Sequence, residues 1–274
     1  MNKSIWVYDR IFNNPKSTDI VFMGSSHTIN GIDDALIEKQ ISETSLNVVN
    51  LGYCRIGTNL EYILLKRITS AKDIKALVIE VREDEARFGH PVFPYLANSA
   101  EVFTAPVFIN NSLFDDYYKH CYYRLEIMRN IVFHRNPPDT INLSPFGFSA
   151  SIDTAYSDFL SKIGSGRDKE IRRAEGIEKQ IVYNYSFNYL SKIASLCAQK
   201  NIKLYFLYLP GFGNGNKEPG SLKDYQELGT VLLPPDEILS NKYNWHDEDH
   251  LNQTGAMMLS TWVASQIKTA ITSN

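Results

Sequence analysis

The sequence predicts an α/β fold with a central parallel sheet, and two observations lead to this prediction. Short apolar runs at residues 19–23, 46–51 and 76–81 end at glycine or polar residues, as strands buried on both faces of a parallel sheet do. Segments of helical character separate these runs. The resulting β-α-β-α-β order implies right-handed crossovers and therefore a parallel sheet.

The two segments between these strands carry helix signals. Asp33 and Asp34 place negative charge in the first turn of segment 33–38, where the helix dipole favours it. Segment 59–69 places its apolar side chains on one stripe, which is the pattern of an amphipathic helix. These apolar residues are Leu60, Ile63, Leu64 and Ile68.

The last third of the chain continues the pattern. A long helix is predicted over residues 169–200, followed by strands at 203–209 and 230–233. The final helix is predicted over residues 253–270, with Asn252 as its N-cap.

Residues 86–166 interrupt this order. They are rich in Phe, Tyr, Pro and Asn, they lack a clean alternation, and they are too apolar for a disordered linker. We predict that they form an aromatic-rich insertion within a single domain, 1–274, and that the insertion packs over the sheet edge as a lid or substrate wall. Additional core is the alternative.

Composition narrows the classes of partner. A net charge of −3 provides no basic surplus for phosphate binding, so nucleic acid is not expected as a partner. No stretch approaches the ~20 apolar residues of a membrane span, so membrane association is expected only through a segment absent from this chain. Cys54, Cys121 and Cys197 form no Cys-x-x-Cys pair, and each is predicted to be a small buried hydrophobe. The oligomeric state stays open.

Two glycine motifs follow the first two strands, at the edge of the sheet where parallel α/β folds bind ligands. Gly24 allows a tight turn before Ser25 and Ser26, and a serine there can present both its hydroxyl and its backbone N–H to a substrate. Gly52, after the second strand, can bring a second backbone N–H to the same crevice. A serine-rich cap and an ordinary strand-ending glycine are the structural alternatives.

A third motif, at residues 245–255, decides between these alternatives. Asp247 and His250 lie three residues apart immediately before the last helix. At that spacing the carboxylate can accept the imidazole Nδ1–H and leave Nε2 to take a serine proton. Asp247 is the favoured orienting acid, and Asp249 is the reserve candidate.

These residues resemble the SGNH/GDSL hydrolase superfamily, and within it the branch of bacterial cell-envelope esterases and acyltransferases. The resemblance rests on a nucleophile block at 22–33, a glycine block at 50–52 and an Asp-x-x-His block at 247–256. Ser25 replaces the Asp of the usual Gly-Asp-Ser pattern, which puts Ser26 at the nucleophile position.

The resemblance implies a three-layer, flavodoxin-like fold and a serine mechanism. Ser26 would attack an ester, His250 would act as base and Asp247 would orient it, while the N–H groups of Ser26 and Gly52 would form an oxyanion hole. It also implies an O-acylated glycan or another cell-envelope ester as substrate, an extracytoplasmic location, and no metal or organic cofactor.

One block departs from the family pattern. The family places Gly-x-Asn after the third strand, where the Asn side chain completes the oxyanion hole, whereas this chain has Glu80-Val81-Arg82. Arg82 is a candidate replacement because its guanidinium carries several N–H donors. An ion pair with a nearby acid is the role that we favour for it.

Two other classes of function remain open. A metal-dependent hydrolase would use His246 and His250 with Asp247 and Asp249, yet the predicted helix begins only at Asn252, so the histidines need not share a helical face. The other class is a carbohydrate-binding protein with a degraded SGNH fold. Its aromatic insertion would suit sugar stacking and the missing Asn supports it, whereas the intact serine, histidine and aspartate oppose it.

Overall fold

Five apolar segments form one parallel sheet in the computed structural model. The structure describes residues 3–55, 57–82, 89–103, 113–132, 145–155, 160, 176–214 and 217–272. The strands are β1 (Ile20–Met23), β2 (Val48–Asn50), β3 (Ala76–Val81), β4 (Lys203–Tyr208) and β5 (Thr230–Leu232). Their order is β2-β1-β3-β4-β5, with all neighbours parallel. This is the flavodoxin-like order, so the predicted fold class is confirmed.

Helices cover both faces of this sheet. The helices of the first half are α1 (Lys3–Tyr8), α2 (Ser26–Gly31), α3 (Asp34–Gln40), α4 (Thr58–Ala71), α5 (Phe93–Leu96), α6 (Ser99–Phe103) and α7 (Leu113–Val132). Those of the second half are α8 (Gly176–Gln199), α9 (Leu222–Leu228), α10 (Asp236–Leu239) and α11 (Gln253–Thr272). A π-helical turn, Asp9–Asn13, extends α1, and short 3₁₀ turns lie at Ser42–Thr44 and Lys242–Asn244.

The alternation of side chains along β1 divides the core into two layers. Val21 and Met23 belong to the cluster under α1, α4 and α8, whereas Ile20 and Phe22 belong to the cluster under α3 and α11. All four side chains are at most 1% exposed. Since successive residues of a strand point to opposite faces, an uninterrupted apolar run is what a sheet covered on both sides requires.

The described boundaries agree with the sequence analysis to within a few residues. Asp33 caps α3 by accepting the N–H of Leu36 at 2.9 Å. Asn252 accepts the N–H of Gly255 at 3.0 Å, so its assignment as the N-cap of α11 is confirmed. The described part of the long predicted helix is α8. Within the described residues, no helix combines the length and apolar character of a membrane span.

The insertion contains regular structure that its composition did not predict. Helices α5, α6 and α7 occupy its first half, and Phe93 and Val102 pack with Ile63 of α4 in a small buried cluster. This part extends the core, which was the alternative expectation. Residues 104–112, 133–144 and most of 156–175 lie outside the described residues, so the predicted lid stays a prediction.

Another described segment of the insertion, residues 145–155, runs across α2 and α3. The N–H of Gly147 donates to the Asp34 carboxylate at 2.8 Å, and the N–H of Ser149 donates to the Ile29 carbonyl at 3.0 Å. A Cβ on residue 147 would lie 1.7 Å from a backbone oxygen of β2, so glycine is required for this approach. The segment therefore borders the edge of the sheet that holds the candidate site.

The prediction for the cysteines is wrong at two of three positions. Cys54 and Cys121 are exposed, and Cys197 is buried. Cys54 lies in the loop after β2 and Cys121 lies on the outer side of α7. Burial raises the pKa of the Cys197 thiol to about 12, as expected for a thiol that packs as a hydrophobe.

Candidate active site

The turn after β1 places Ser26 at the first position of α2. Ser25 is the N-cap, and its Oγ accepts the N–H of His27 at 3.1 Å. A Cβ on residue 24 would lie 2.2 Å from the Thr28 Oγ1, so only glycine fits between β1 and this helix. The N–H of Ser26 belongs to the first helical turn, where backbone donors have no intrahelical acceptor.

The segment before α11 folds back on itself and presents His250. An antiparallel bridge joins Trp245 to Leu251, and the N–H of His246 donates to the His250 carbonyl at 2.8 Å. Inside this loop, the Asp247 Oδ1 accepts the His250 N–H at 2.8 Å. Backbone hydrogen bonds therefore hold the Asp247 carboxylate in place in addition to its contact with the imidazole.

Ser26, His250 and Asp247 form a continuous chain of contacts. The Nδ1 of His250 lies 2.9 Å from both carboxylate oxygens of Asp247, and its Nε2 lies 2.7 Å from the Ser26 Oγ. An ionised carboxylate can only accept a hydrogen bond, so Nδ1 carries the proton and Nε2 is left to accept the serine O–H. Both ring nitrogens of His250 are thus engaged by protein groups.

The charge state of Asp247 suits this arrangement. Burial of the carboxyl favours its neutral form, but the hydrogen bonds from the His250 side chain and the Asp249 N–H outweigh burial and lower its pKa. Asp249, the reserve candidate for the orienting acid, lies near His27 instead. Its Oδ1 is 3.9 Å from the His27 Nε2, and the structure brings Asp247, not Asp249, to the Nδ1 of His250.

The combination assumed for a metal site does not assemble around His250, because Ser26 and Asp247 already engage both of its nitrogens. Among the described residues, no group of three or more His, Cys, Asp or Glu side chains has a geometry that could hold a metal ion. The site therefore brings a hydroxyl, an imidazole and a carboxylate into one line of contacts.

A buried carboxylate, Glu80, hydrogen-bonds the turn that follows β1 and carries Ser26 (residues 24–28, the serine turn). It stands near the end of β3, and its Oε2 accepts the backbone N–H groups of Ser25 at 2.8 Å and Thr28 at 3.1 Å. The Thr28 hydroxyl donates to the same oxygen at 2.6 Å, and the Ser25 hydroxyl donates to Oε1 at 2.8 Å. Burial opposes ionisation of Glu80, but the charge of Arg82 and these hydrogen bonds prevail and lower its pKa.

Arg82 forms the ion pair that we favoured from the sequence, with Glu80 as its partner, and it also contacts the serine turn. Its Nε lies 2.8 Å from the Glu80 Oε1, and its Nη2 donates to the Ser25 Oγ at 2.9 Å. Its Nη1 lies 2.7 Å from the His27 Nε2, which must be the acceptor because a guanidinium only donates. Whether Arg82 also serves an oxyanion stays a prediction.

His27 is a neutral neighbour of His250. Burial, followed by the positive charge of Arg82, lowers the pKa of His27 to about 4. The two imidazole rings lie 5.4 Å apart between centroids. A neutral His27 adds no positive charge beside His250 when that ring accepts a proton.

Gly52 does not present an unoccupied donor in this structure. Its N–H donates to the Asn50 Oδ1 at 2.9 Å, and the Asn50 amide donates to the Thr28 and Ile32 carbonyls, each at 2.7 Å. Asn50 thus ties the end of β2 to α2. A role of Gly52 in an oxyanion hole stays a prediction, and it requires that its N–H leave Asn50 or be shared.

Sequence analysis overlooked the role of Glu80 and the position of His27 against Arg82. A detectable signal existed for Glu80, since it is the only charged residue in the apolar run 76–81. A charge in a strand buried on both faces indicates a specific partner, because burial of an isolated charge is too costly. No local pattern indicated that the partner is the turn after β1.

The order of these parts agrees with the one that the sequence resemblance implies. The serine turn follows the first strand of a flavodoxin-like sheet, and the Asp-x-x-His loop precedes the last helix.

No family model and no curated protein matches the chain. It is similar to a solved Streptococcus pneumoniae structure provisionally described as a platelet activating factor, with 12% identity, a TM-score of 0.45 and coverage of 97% of this chain and 90% of the other. A Bacteroides fragilis structure, provisionally an acylhydrolase, has 9% identity, a TM-score of 0.41 and coverage of 98% and 95%. A Parabacteroides merdae structure, provisionally a GDSL-like lipase, has 11% identity, a TM-score of 0.40 and coverage of 94% and 99%.

Proposed function

We propose that the protein is a serine-dependent esterase or O-acyltransferase that works through an acyl-enzyme. The observation that carries this proposal is the 2.7 Å contact between the Ser26 Oγ and the His250 Nε2, with Asp247 on the opposite nitrogen. A hydroxyl, a base and an orienting acid in this sequence are the components of an activated serine nucleophile.

In the proposed first step, the Ser26 oxygen attacks the ester carbonyl while its proton passes to the His250 Nε2. The carbonyl electrons move to oxygen and form a tetrahedral intermediate, and Asp247 stabilises the imidazolium. His250 then returns the proton to the departing alkoxide, and the acyl group remains on Ser26. In the second step, water or a sugar hydroxyl, deprotonated by His250, attacks the acyl carbonyl, the bond to the Ser26 oxygen breaks, and His250 returns the proton to that oxygen.

The proposed oxyanion hole combines the N–H groups of Ser26 and Gly52 with the Arg82 guanidinium. The position of Ser26 in the first turn of α2 supports its N–H as the principal donor, because helix N-termini favour negative charge. Arg82 lies beside this turn through its contact with the Ser25 Oγ. One oxyanion donor contributes about 10²–10³ in rate in other hydrolases.

We propose an O-acylated glycan or another cell-envelope ester as the substrate, in an extracytoplasmic setting. This substrate class comes from the sequence resemblance. Exposed aromatic side chains on α7 support the glycan, because aromatic faces provide apolar area to sugar rings. Three of them are Phe114, Tyr118 and Tyr122, which are 87%, 67% and 56% exposed.

One observation favours a second candidate, a carbohydrate-binding protein without turnover. The N–H of Gly52 is bonded to Asn50, and Arg82 is committed to Glu80, Ser25 and His27. An oxyanion hole built from such engaged donors stabilises a transition state less well than a preorganised one.

Intact-mass analysis after treatment with a small fluorophosphonate tests the proposal. The wild-type protein is expected to gain one adduct, and Ser26→Ala is expected to gain none, because it lacks the activated oxygen. Ser149→Ala is the control, since Ser149 contacts α2 through its backbone and its substitution leaves the nucleophile intact. Failure of the wild type to react would favour the binding protein.

A further inference from the structure

Helix α7 presents a row of apolar side chains to solvent. Two of them, Leu125 and Met128, are 65% and 61% exposed. Single exposed hydrophobic side chains are ordinary at a protein surface, whereas a contiguous apolar patch marks an interaction surface. We call this row the α7 stripe, and its exposed members are Phe114, Tyr118, Cys121, Leu125 and Met128.

The opposite face of α7 packs on the neighbouring helices of the insertion. Asp116 and His120 are buried on that face. The His120 Nδ1 lies 2.7 Å from the Pro94 carbonyl oxygen of α5, and its Nε2 lies 3.1 Å from the Ser99 Oγ at the start of α6. These contacts hold the inner face against the domain. The α7 stripe therefore points outward, where a partner can reach it.

The spacing within the α7 stripe is that of a coiled-coil seam. From Phe114 to Met128 its members follow one another at alternating intervals of four and three residues. This is the heptad pattern by which one helix packs lengthwise on another, and Cys121 behaves in it as a small hydrophobe. A sugar ring stacks on an aromatic face and needs no such period. The spacing therefore favours a second helix as the occupant of the stripe.

The charges beside the α7 stripe favour α7 of a second copy as that helix. One flank carries Asp115, Lys119, Glu126 and Arg129, whose signs alternate along the chain and are complementary to their own reversed order. In an antiparallel pair, Asp115 faces Arg129 of the second copy and Lys119 faces Glu126. A parallel pair would place like charges together. Within α7 these side chains form two exposed ion pairs, which are weak and can join such a network.

We propose that the α7 stripe is a self-association surface, at which two copies of the chain pair antiparallel about a two-fold axis. Each contact then occurs twice, because the same surface is used by both copies. A seam of this length gives a small, transient interface, so we expect a Kd on the order of 10 µM. Pairing covers Phe114 and Tyr118, and the glycan proposed above then rests on the sequence resemblance alone.

Sedimentation velocity of the full chain over a range of concentrations measures the association and requires no turnover. We expect the wild type to shift from monomer to dimer. Leu125→Glu should weaken dimerisation at least about tenfold, because both copies lose a buried leucine. Ile152→Glu is the matched control, since Ile152 is 82% exposed outside α7, and it should leave the Kd unchanged. A monomeric wild type, or equal association of wild type and Leu125→Glu, would overturn the inference.

Two charge variants test the antiparallel direction. Asp115→Lys and Arg129→Glu each place like charges opposite one another, so each alone should associate about threefold or more weakly than the wild type at low salt. An equimolar mixture of the two should regain wild-type affinity, because each reversed charge then faces an opposite charge on the other variant. Wild-type affinity of each variant alone would overturn the antiparallel pairing.

Chemical cross-linking locates the interface. Cys121 lies in the middle of the α7 stripe, so a short bismaleimide should join two copies of the wild type. Cys54→Ser is the matched control, because it removes the other exposed cysteine and should retain the cross-linked dimer, whereas Cys121→Ser should lose it. A cross-linked product that requires Cys54 and not Cys121 would overturn the assignment of the interface to α7.

A sugar is the competing occupant of the α7 stripe. Calorimetric titration of the wild type and of Tyr118→Ala with chitotetraose, an oligomer of N-acetylglucosamine, tests it. Binding by a wild type that stays monomeric, with loss of binding in Tyr118→Ala, would overturn self-association and support the glycan. Dimerisation of the wild type without binding of this sugar would support the inference.

Discussion

Two neighbouring regions of the molecule bury a glutamate, and they treat it in opposite ways. Beside the serine turn, Glu80 accepts hydrogen bonds from Ser25 and Thr28 and pairs with Arg82. These contacts lower the pKa of Glu80. On α4, the buried Glu61 has no hydrogen-bond partner among the described residues, and burial raises its pKa to about 8. Burial penalises the charge of both carboxyls, so the partners decide the protonation state.

The difference in hydrogen bonding gives the two glutamates different protonation states. A carboxylate with four donors and a cation is a fixed anchor, which holds the turn that presents Ser26. Glu61 lacks such partners among the described residues, and its raised pKa keeps the carboxyl protonated at neutral pH. Asp247 resembles Glu80 in this respect, since hydrogen bonds lower its pKa although it is partly exposed.

The largest effect is expected at Asp247, where the ionised form is required. Asp247→Asn should lower kcat by about 10⁴, because an amide can stabilise the wrong tautomer of His250 and cannot balance its positive charge. Steady-state kinetics on an ester that the wild type cleaves would measure this loss. Asp249→Asn is the control and should have a much smaller effect, since Asp249 does not reach the Nδ1 of His250. Similar losses in both variants would contradict the assignment.

Removal of the anchor should be the next largest effect. Glu80→Ala is expected to lower the free energy of unfolding by about 3–5 kcal/mol, because it leaves Arg82 and the donors of the turn without their buried partner. Urea unfolding measures this change. Glu126→Ala is the control, because Glu126 pairs with Arg129 where both side chains are exposed. A loss at Glu80 no larger than the loss at Glu126 would show that Glu80 is not an anchor.

The smallest effect is expected at Glu61, and it should depend on pH. Its pKa is about 8 in the folded protein against 4.5 for the ordinary side chain. Between these values the unfolded chain releases a proton that the folded chain retains, so the stability of the wild type falls as pH rises. Glu61→Gln removes this dependence.

The expected result is that Glu61→Gln gains stability relative to wild type by at least about 1.4 kcal/mol between pH 5 and pH 8.5, since one pKa unit corresponds to that energy. Urea unfolding of both proteins at the two pH values measures it. A constant difference would mean that Glu61 ionises normally and has a partner in solution.

The helices that sequence analysis missed show where local patterns fail. Helix α7 exposes the aromatic side chains of Phe114, Tyr118 and Tyr122 and buries Asp116 and His120, so its apolar residues did not mark the face that packs. Exposure of Cys121 on the same helix has the same origin. A residue type predicts burial only on average, and the packing of each helix decides the individual case.

By itself, the sequence determined the elements whose signals are local. Apolar runs specified the strands, because a strand covered on both faces needs an uninterrupted apolar stretch. Asn252 marked the start of α11, and the spacing of Asp247 and His250 allowed their contact, because both depend on a few neighbouring residues.

Only the tertiary structure decided which distant groups meet. The contact of Ser26 with His250 joins residues 224 positions apart, and that of Ser25 with Glu80 joins residues 55 positions apart. The same packing bonded the Gly52 N–H to Asn50 and left the Glu61 carboxyl without a hydrogen-bond partner among the described residues. Hydrogen bonding and burial at these positions depend on strand order and on how the helices cover the sheet, and local sequence encodes neither directly.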